Sequence, residues 1–368
     1  MDRRQFLVRR DRLADHDVVT TPRDALAPDT VELRVDRFGF TTNNVTYGVL
    51  GDALSYWQFF PSPRADWGCL PVWGFGTVER SAVDGVAVGE RCYGYYPMAS
   101  HVVVQPRRLD EVGFVDGAPH RRALNGVYNQ YLRTTRDPSY APDTEPEQVI
   151  LRPLFATSYF LADHLYEHDA FGADALLISS ASSKLAYGLA FVLATDARRA
   201  GRPIIGLTSP GNAAFVTRLG LYDRVVTYDD LAALPIQRAA LVDIAGSASV
   251  RAAVRARLGD ALVHTLAVGV TSGEVPRPSG DEPALFFAPA WIRQRSQQWG
   301  AAVVQERLGA AWRAFLVPIR DPARGWMTIT TATGIAAVGQ VYDQVVAGRA
   351  RPEHGYVLSL IDDVPAAE

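Results

Sequence analysis

Residues 176–178 are uninterruptedly apolar, and five small residues, 179–183, follow without a gap. Leu185, Leu189, Val192 and Leu193 then recur at helical spacing. An apolar run without polar alternation is a strand buried on both faces. The pattern over 174–190 therefore predicts strand, tight turn and helix. Further apolar runs at 203–207, 224–228, 241–245, 261–266 and 284–287 read as strands. Helical spacing at 158–166, 213–219, 249–258 and 291–316 separates or flanks them. Strands alternating with helices imply a parallel sheet with right-handed crossovers. A helix at 335–346, a break at Gly348 and a strand at 355–361 close the chain.

The first 110 residues have another rhythm. Residues 30–36 alternate apolar and polar, and Gly74, Gly76, Gly85, Gly89 and Gly94 punctuate short apolar runs. This is the turn-and-strand spacing of a small barrel. Residues 113–150 are polar and carry Pro119, Pro138, Pro142 and Pro146, which predicts an irregular, lid-like connection.

At 368 residues the chain is too long for one ordinary core, so two domains are expected. A hydrophobic share of 48% and a charged share of 21% describe a soluble globular protein. A net charge of −3 leaves no basic footprint for nucleic acid or an anionic membrane. Two cysteines, Cys69 and Cys92, build neither a disulfide framework nor a four-cysteine zinc lobe. With no signal-like or bilayer-length segment, a cytoplasmic location is expected. His164 and His168 stand i, i+4 on an expected helix, a spacing that serves two metal ligands but more often marks a plain helical face.

The turn at 179–183 has the form of a phosphate-binding turn, in which a helix N-terminus and its amides receive an anion. The usual glycines are replaced: a GxxGxxG loop would fall on Ser180, Ser183 and Ala186. The same pattern also describes any buried strand–helix turn of an α/β protein. At the end of the second strand, residues 207–212 read L-T-S-P-G-N, with no carboxylate for a ribose 2′-hydroxyl. Hydroxyls and an amide there accept a 2′-phosphate that a carboxylate would repel. This favours NADP(H) over NAD(H), with Arg218 the nearest downstream cation.

The order of segments resembles the medium-chain dehydrogenase/reductase superfamily, in its zinc-free, quinone-oxidoreductase-like branch. Residues 72–78 (V-W-G-F-G-T-V) stand where that family has GHEGAGVV, and 86–94 resemble its V-x-VGDRV-x-G strand pair. Residues 152–159 resemble P-L-x-x-x-T-A-Y, 217–228 resemble KLGA-x-x-VI-x-Y, and 242–246 resemble V-D-x-x-G. Residues 344–358 resemble the closing SGK-x-x-GKVV. The likeness covers most of the chain, except 113–150.

The resemblance implies a GroES-like β-barrel catalytic domain and a Rossmann domain with a doubly wound parallel sheet. The expected divisions are 1–152, including the insertion 113–150, then 153–300 for cofactor binding, and 301–368 returning to the catalytic domain. It implies a cofactor site of Ser180, Ser182, Ser183, Lys184, Leu185, Thr208, Ser209, Asn212, Arg218 and Tyr228. Val72 and Trp73 replace the His and Glu of the family's zinc enzymes, so no metal is expected. Without a metal, a hydride acceptor needs a hydrogen-bond donor and a proton source. The corresponding segment here, 40–48, offers Asn43, Asn44 and Tyr47, with Tyr128 closing from the insertion. The expected function is a metal-independent, NADPH-dependent reductase of an activated C=C or C=O in an enone, quinone or related small molecule. A homodimer follows from the family's habit of pairing sheet edges. The alternative is a catalytically silent scaffold that kept the fold, motivated by the lost glycines.

Overall fold

The computed structural model describes residues 2–199, 201–244, 246–268 and 284–362. Ala245, the last residue of one expected strand, lies outside them. The chain forms two units, Met1–Ile150 with Ile329–Glu368, and Leu151–Thr328.

In the first unit the alternating segment at 30–36 becomes the ten-residue strand Val31–Phe40. It pairs antiparallel with Pro71–Ser81, with His101–Val104 and with His354–Ser359. Nine strands form this sheet among the described residues, and Arg3–Arg9 belongs to a separate small sheet with His16–Thr21. Phe38, Phe40, Val72, Tyr95, Tyr342 and Leu358 fill the barrel core.

The insertion 113–150 is not wholly irregular. Gly113–Asp116 and Gln130–Arg133 pair with each other, and the latter pairs with Arg91–Pro97, so both extend the barrel sheet. Close approach holds them: a Cβ added at Gly94 would lie 2.7 Å from the Tyr131 ring. Tyr131 is fully buried and donates its hydroxyl to the Tyr95 carbonyl at 2.8 Å. Arg91 adds a buried charge link, with Nε 2.5 Å from Glu145 and one terminal nitrogen 2.5 Å from Asp36.

In the second unit six parallel strands follow the order Arg224–Thr227, Ile204–Thr208, Ala175–Ile178, Ala239–Asp243, Leu262–Val268, Ala284–Phe286. In chain order this is 3-2-1-4-5-6, the doubly wound dinucleotide-binding arrangement. The expected helix over 291–316 is two helices, Ala288–Trp299 and Ala301–Ile319, broken at Gly300 with φ +87°. The second division falls after Thr328 rather than after residue 300. The reason is packing: Trp312 and Phe315 on the second of these helices lie against Phe155, and Phe315 also meets Phe191.

Candidate functional site

The first strand of the parallel sheet, Ala175–Ile178, is buried throughout and delivers the turn at 179–183. Ser179 is fully buried; its hydroxyl donates to Asp243 Oδ1 at 2.8 Å and accepts the Ile244 amide at 2.8 Å. Arg251 neutralises the other oxygen of Asp243 at 2.6 Å. The turn is thereby locked to the end of the fourth strand, by a carboxylate that the V-D-x-x-G resemblance contained without assigning it a task.

Ser180 sits at φ +49°, in the left-handed region where glycine is ordinarily preferred. Its amide donates to the Tyr228 hydroxyl at 2.8 Å. Ala181 donates to the Leu207 carbonyl at 3.0 Å, and its own carbonyl accepts the Tyr222 hydroxyl at 2.8 Å. Gly206 permits this closeness, because a Cβ there would lie 2.9 Å from the Tyr222 ring and 3.0 Å from Ala181 Cβ. Ser183 caps the helix Lys184–Thr195, its hydroxyl accepting the Ala186 amide at 3.2 Å.

The loops after the first two strands meet where Asn212 Nδ2 donates to Ser182 Oγ at 3.1 Å. Ser180, Ser182, Ser183, Asn212 and Tyr228 are thus brought together. Thr208 is buried at the second strand's end, and Ser209 is half-buried beside it. Lys184 and Leu185 begin the helix; the Leu185 carbonyl accepts the Ser158 hydroxyl at 2.7 Å. Arg218 differs: it is exposed on Ala213–Leu219, with its guanidinium 5.3 Å from the Phe215 ring. The first turn of Lys184–Thr195 contains no acidic residue. A carboxylate-free helix N-terminus with hydroxyls, an amide and a lysine is a donor set that suits a diphosphate.

In the first unit the expected polar turn is the helix Thr42–Val49. A capping box starts it: Asn44 Oδ1 accepts the Thr41 amide at 2.8 Å, while Thr41 Oγ1 accepts the Asn43 amide at 3.2 Å. Asn44 is buried and its Nδ2 donates to the Pro71 carbonyl at 3.2 Å, so this side chain serves the fold. Asn43 stands one turn before Tyr47 on the same helix.

Tyr47 belongs to a tyrosine cluster. Its ring centroid is 4.5 Å from Tyr56 and 6.0 Å from Tyr95, and Tyr95 is 4.7 Å from Tyr128. The Tyr56 and Tyr128 hydroxyls are 3.3 Å apart. The Tyr95 hydroxyl is buried without a hydrogen-bond partner among the described residues. Burial, with the neighbouring phenols, pushes Tyr47, Tyr95 and Tyr128 above the usual phenol value. These phenols keep their protons at ordinary pH. Tyr56 and Tyr95 were not among the sequence candidates; the dense Y-G-Y-Y of 93–96 is a signal that could have flagged Tyr95.

Among the described residues no group of three or more His, Cys, Asp or Glu is placed to share a metal ion. The His164 and His168 rings lie 4.4 Å apart between centroids, tilted by 51° to each other. Cys69 and Cys92 are buried in the barrel, and burial pushes both thiols up to about 12. No helix of the described residues is long and apolar enough to cross a membrane.

Barrel and 3-2-1-4-5-6 sheet together define the medium-chain dehydrogenase/reductase fold. Solved structures share it along the whole chain. The quinone oxidoreductase from Coxiella burnetii is 13% identical, with a TM-score of 0.54, covering 98% of this chain and 99% of that one. CurA from Vibrio vulnificus, in complex with NADPH, is 12% identical with a TM-score of 0.56, covering 97% and 98%. The Etr1p/NADP/crotonyl-CoA complex is 10% identical with a TM-score of 0.58, covering 98% and 100%. No curated protein sequence matches the chain. The chain belongs to the family described as "Protein of unknown function (DUF2855)", whose profile matches residues 38–351.

Proposed function

We propose that this protein is a metal-independent, NADPH-dependent reductase of an activated C=C or C=O in an enone, quinone or related small molecule. The observation that carries the reading is the joined pair of loops, in which the 179–183 turn meets Asn212 beside a strand end without a carboxylate. The NADPH and NADP named for two structural neighbours support it. When bound, the nicotinamide supplies the hydride. Ser182, Ser183 and Lys184 hold the diphosphate at the helix N-terminus, and Thr208, Ser209 and Asn212 receive the 2′-phosphate. Tyr47 donates a hydrogen bond or proton to the substrate oxygen, and Tyr128 backs it through Tyr56. Burial raises the Tyr47 pKa and keeps its proton in place until charge develops on that oxygen.

A second reading, a silent cofactor-binding scaffold, draws on the Ser180 amide being spent on Tyr228 rather than left for a phosphate. Purified protein incubated with NADPH and a panel of enones and quinones separates them. Oxidation of NADPH with any acceptor supports the reductase; saturable NADPH binding without turnover supports the scaffold. Elemental analysis of protein purified without added metal should show far less than one zinc per chain. Stoichiometric zinc, lost together with activity on chelation, would overturn the metal-independent mechanism.

A further inference from the structure

Arg218 is an expected cofactor residue that the joined loops at Ser182 and Asn212 leave unused. Its guanidinium lies 5.3 Å from the ring of Phe215, the third residue of Ala213–Leu219. The charge is therefore turned back along the helix, towards the loop that leaves the second strand, Ile204–Thr208. Among the described residues no carboxylate is within ion-pair distance of it. A lone exposed arginine is ordinary; a second one converging on the same place is not.

That second arginine comes from far along the chain. After the helix Ala301–Ile319, residues 320–327 run on within the second unit. Trp326 anchors them: it is 2% exposed, with its ring centroid 6.4 Å from Tyr187 and 6.5 Å from Phe191. Tyr187 is the fourth residue of Lys184–Thr195 and lies 6.4 Å from Phe215. In a parallel sheet the first turns of such helices stand at the carboxyl ends of the strands, where these folds take their ligands. Trp326 fixes the segment at that edge. Gly325, at φ +59°, brings it against Arg218: a Cβ built there would lie 3.6 Å from Arg218 Nε. Arg324 precedes it, exposed, with its guanidinium 5.8 Å from the Trp326 ring. Its carboxylate partner, Asp321 at 3.4 Å, is itself 42% exposed, and its Oδ1 already accepts the Ala323 amide at 3.0 Å. A long, exposed ion pair of this kind is weak, so Arg324 is free to engage a stronger anion.

We propose that Arg218 and Arg324 together clamp the 2′-phosphate of NADP(H) and so set the choice between the two nicotinamide cofactors. Thr208, Ser209 and Asn212 offer hydrogen bonds to that phosphate but no charge to offset a dianion. Two guanidinium forks supply both. NAD(H), with a neutral hydroxyl at the same position, gains nothing from them. The inference rests on the NADPH reading above and deepens it by naming the cations.

Calorimetric titration of the full chain with NADPH, NADH and adenosine 2′,5′-bisphosphate tests it. Arg218→Gln and Arg324→Gln should each weaken NADPH and the bisphosphate at least about tenfold, while NADH changes by less than about twofold. The loss should shrink as salt rises. Arg324→Lys, which keeps the charge without the fork, should recover part of the affinity. Both side chains are exposed, so the substitutions leave the core intact. Equal losses for NADPH and NADH would show a merely structural role and overturn the proposal. NADPH bound by the wild type and unchanged in both glutamine variants would overturn the clamp alone and leave the cofactor reading standing. A wild type that binds neither NADPH nor the bisphosphate would overturn both.

Discussion

At the residue scale the informative positions are those where a polar group is held against its ordinary preference. Tyr47 is 8% exposed and surrounded by other phenols. A donor that acts as charge develops contributes more to the transition state than to the ground state. Tyr47→Phe should therefore lower kcat with enones or quinones by at least about tenfold, as loss of a general acid does, while NADPH affinity changes little. Full activity in the variant would remove Tyr47 from the chemistry. Lys184 presents the opposite case, a cation in the first turn of a twelve-residue helix where the dipole repels it. A bound diphosphate would turn this into an advantage. Lys184→Met should weaken NADPH binding by about 1–3 kcal/mol at low salt, as for a charged hydrogen bond, and by less as salt rises. An unchanged dissociation constant at low salt would dismiss that role and favour the scaffold reading.

At the scale of elements, the link from Glu145–Glu167 to the first parallel strand has an unusual form. Asp169, Ala170 and Phe171 all have positive φ, at 47°, 48° and 59°, followed by Gly172 at 71°. Against this link lie His164, His168 and His264, with Phe171 stacked 3.7 Å from His264. His164 Nδ1 is buried without a partner among the described residues. Burial, then the neighbouring His168 and His264, lower the His164 imidazole from its ordinary 6.5 to about 4. The unfolded chain takes up this proton near 6.5 and the folded chain only near 4. Stability is therefore complete above pH 6.5 and is lost as pH falls towards 4. Allowing for screening at a partly exposed ring, the loss is about 1–2 kcal/mol. Urea unfolding of wild type and His164→Phe at pH 7 and pH 4.5 measures it: the variant should lose less stability on acidification. Equal losses would show that His164 does not titrate in this way.

Elements were also where legibility ended. The parallel strands were plain in the sequence because burial on both faces demands apolar runs, and 176–178 carries nothing else. The strands Gly113–Asp116 and Gln130–Arg133 were hidden, since each has four residues and stands among prolines. What makes them strands is pairing with Arg91–Pro97 and the Tyr131 contact over Gly94, neither of which is local. Asn44 was misassigned for a related reason: T-T-N-N reads equally as a polar turn or a capping box, and the helix behind it decides. Ser182 and Asn212 could be placed on neighbouring loops because each follows a predicted strand. Asp243 and Tyr95 act through distant partners, so local spacing assigned them no task.

For the whole molecule, the fold separates two tasks between two cores, one of barrel residues such as Phe38 and Tyr95, the other of sheet residues such as Leu177 and Leu241. On the proposed reading the cofactor engages the second unit, so its binding registers as stability of that unit. A ligand that binds only the folded state adds about 2.7 kcal/mol at a hundredfold excess over its dissociation constant. For a unit spanning Leu151–Thr328 this corresponds to a rise in Tm of roughly 5–10 °C. NADPH should produce such a rise, and NADH at the same concentration a smaller one, because the second strand ends in Thr208 and Ser209 with no carboxylate for a ribose hydroxyl. Ser209→Asp places a charge where the 2′-phosphate is proposed to sit. In that variant the NADPH shift should shrink while the NADH shift is kept or grows. Because both shifts are read on the same variant, a general loss of stability does not imitate the result. Equal shifts for the two cofactors in the wild type, or equal losses in the variant, would show that the second strand's end does not choose between them.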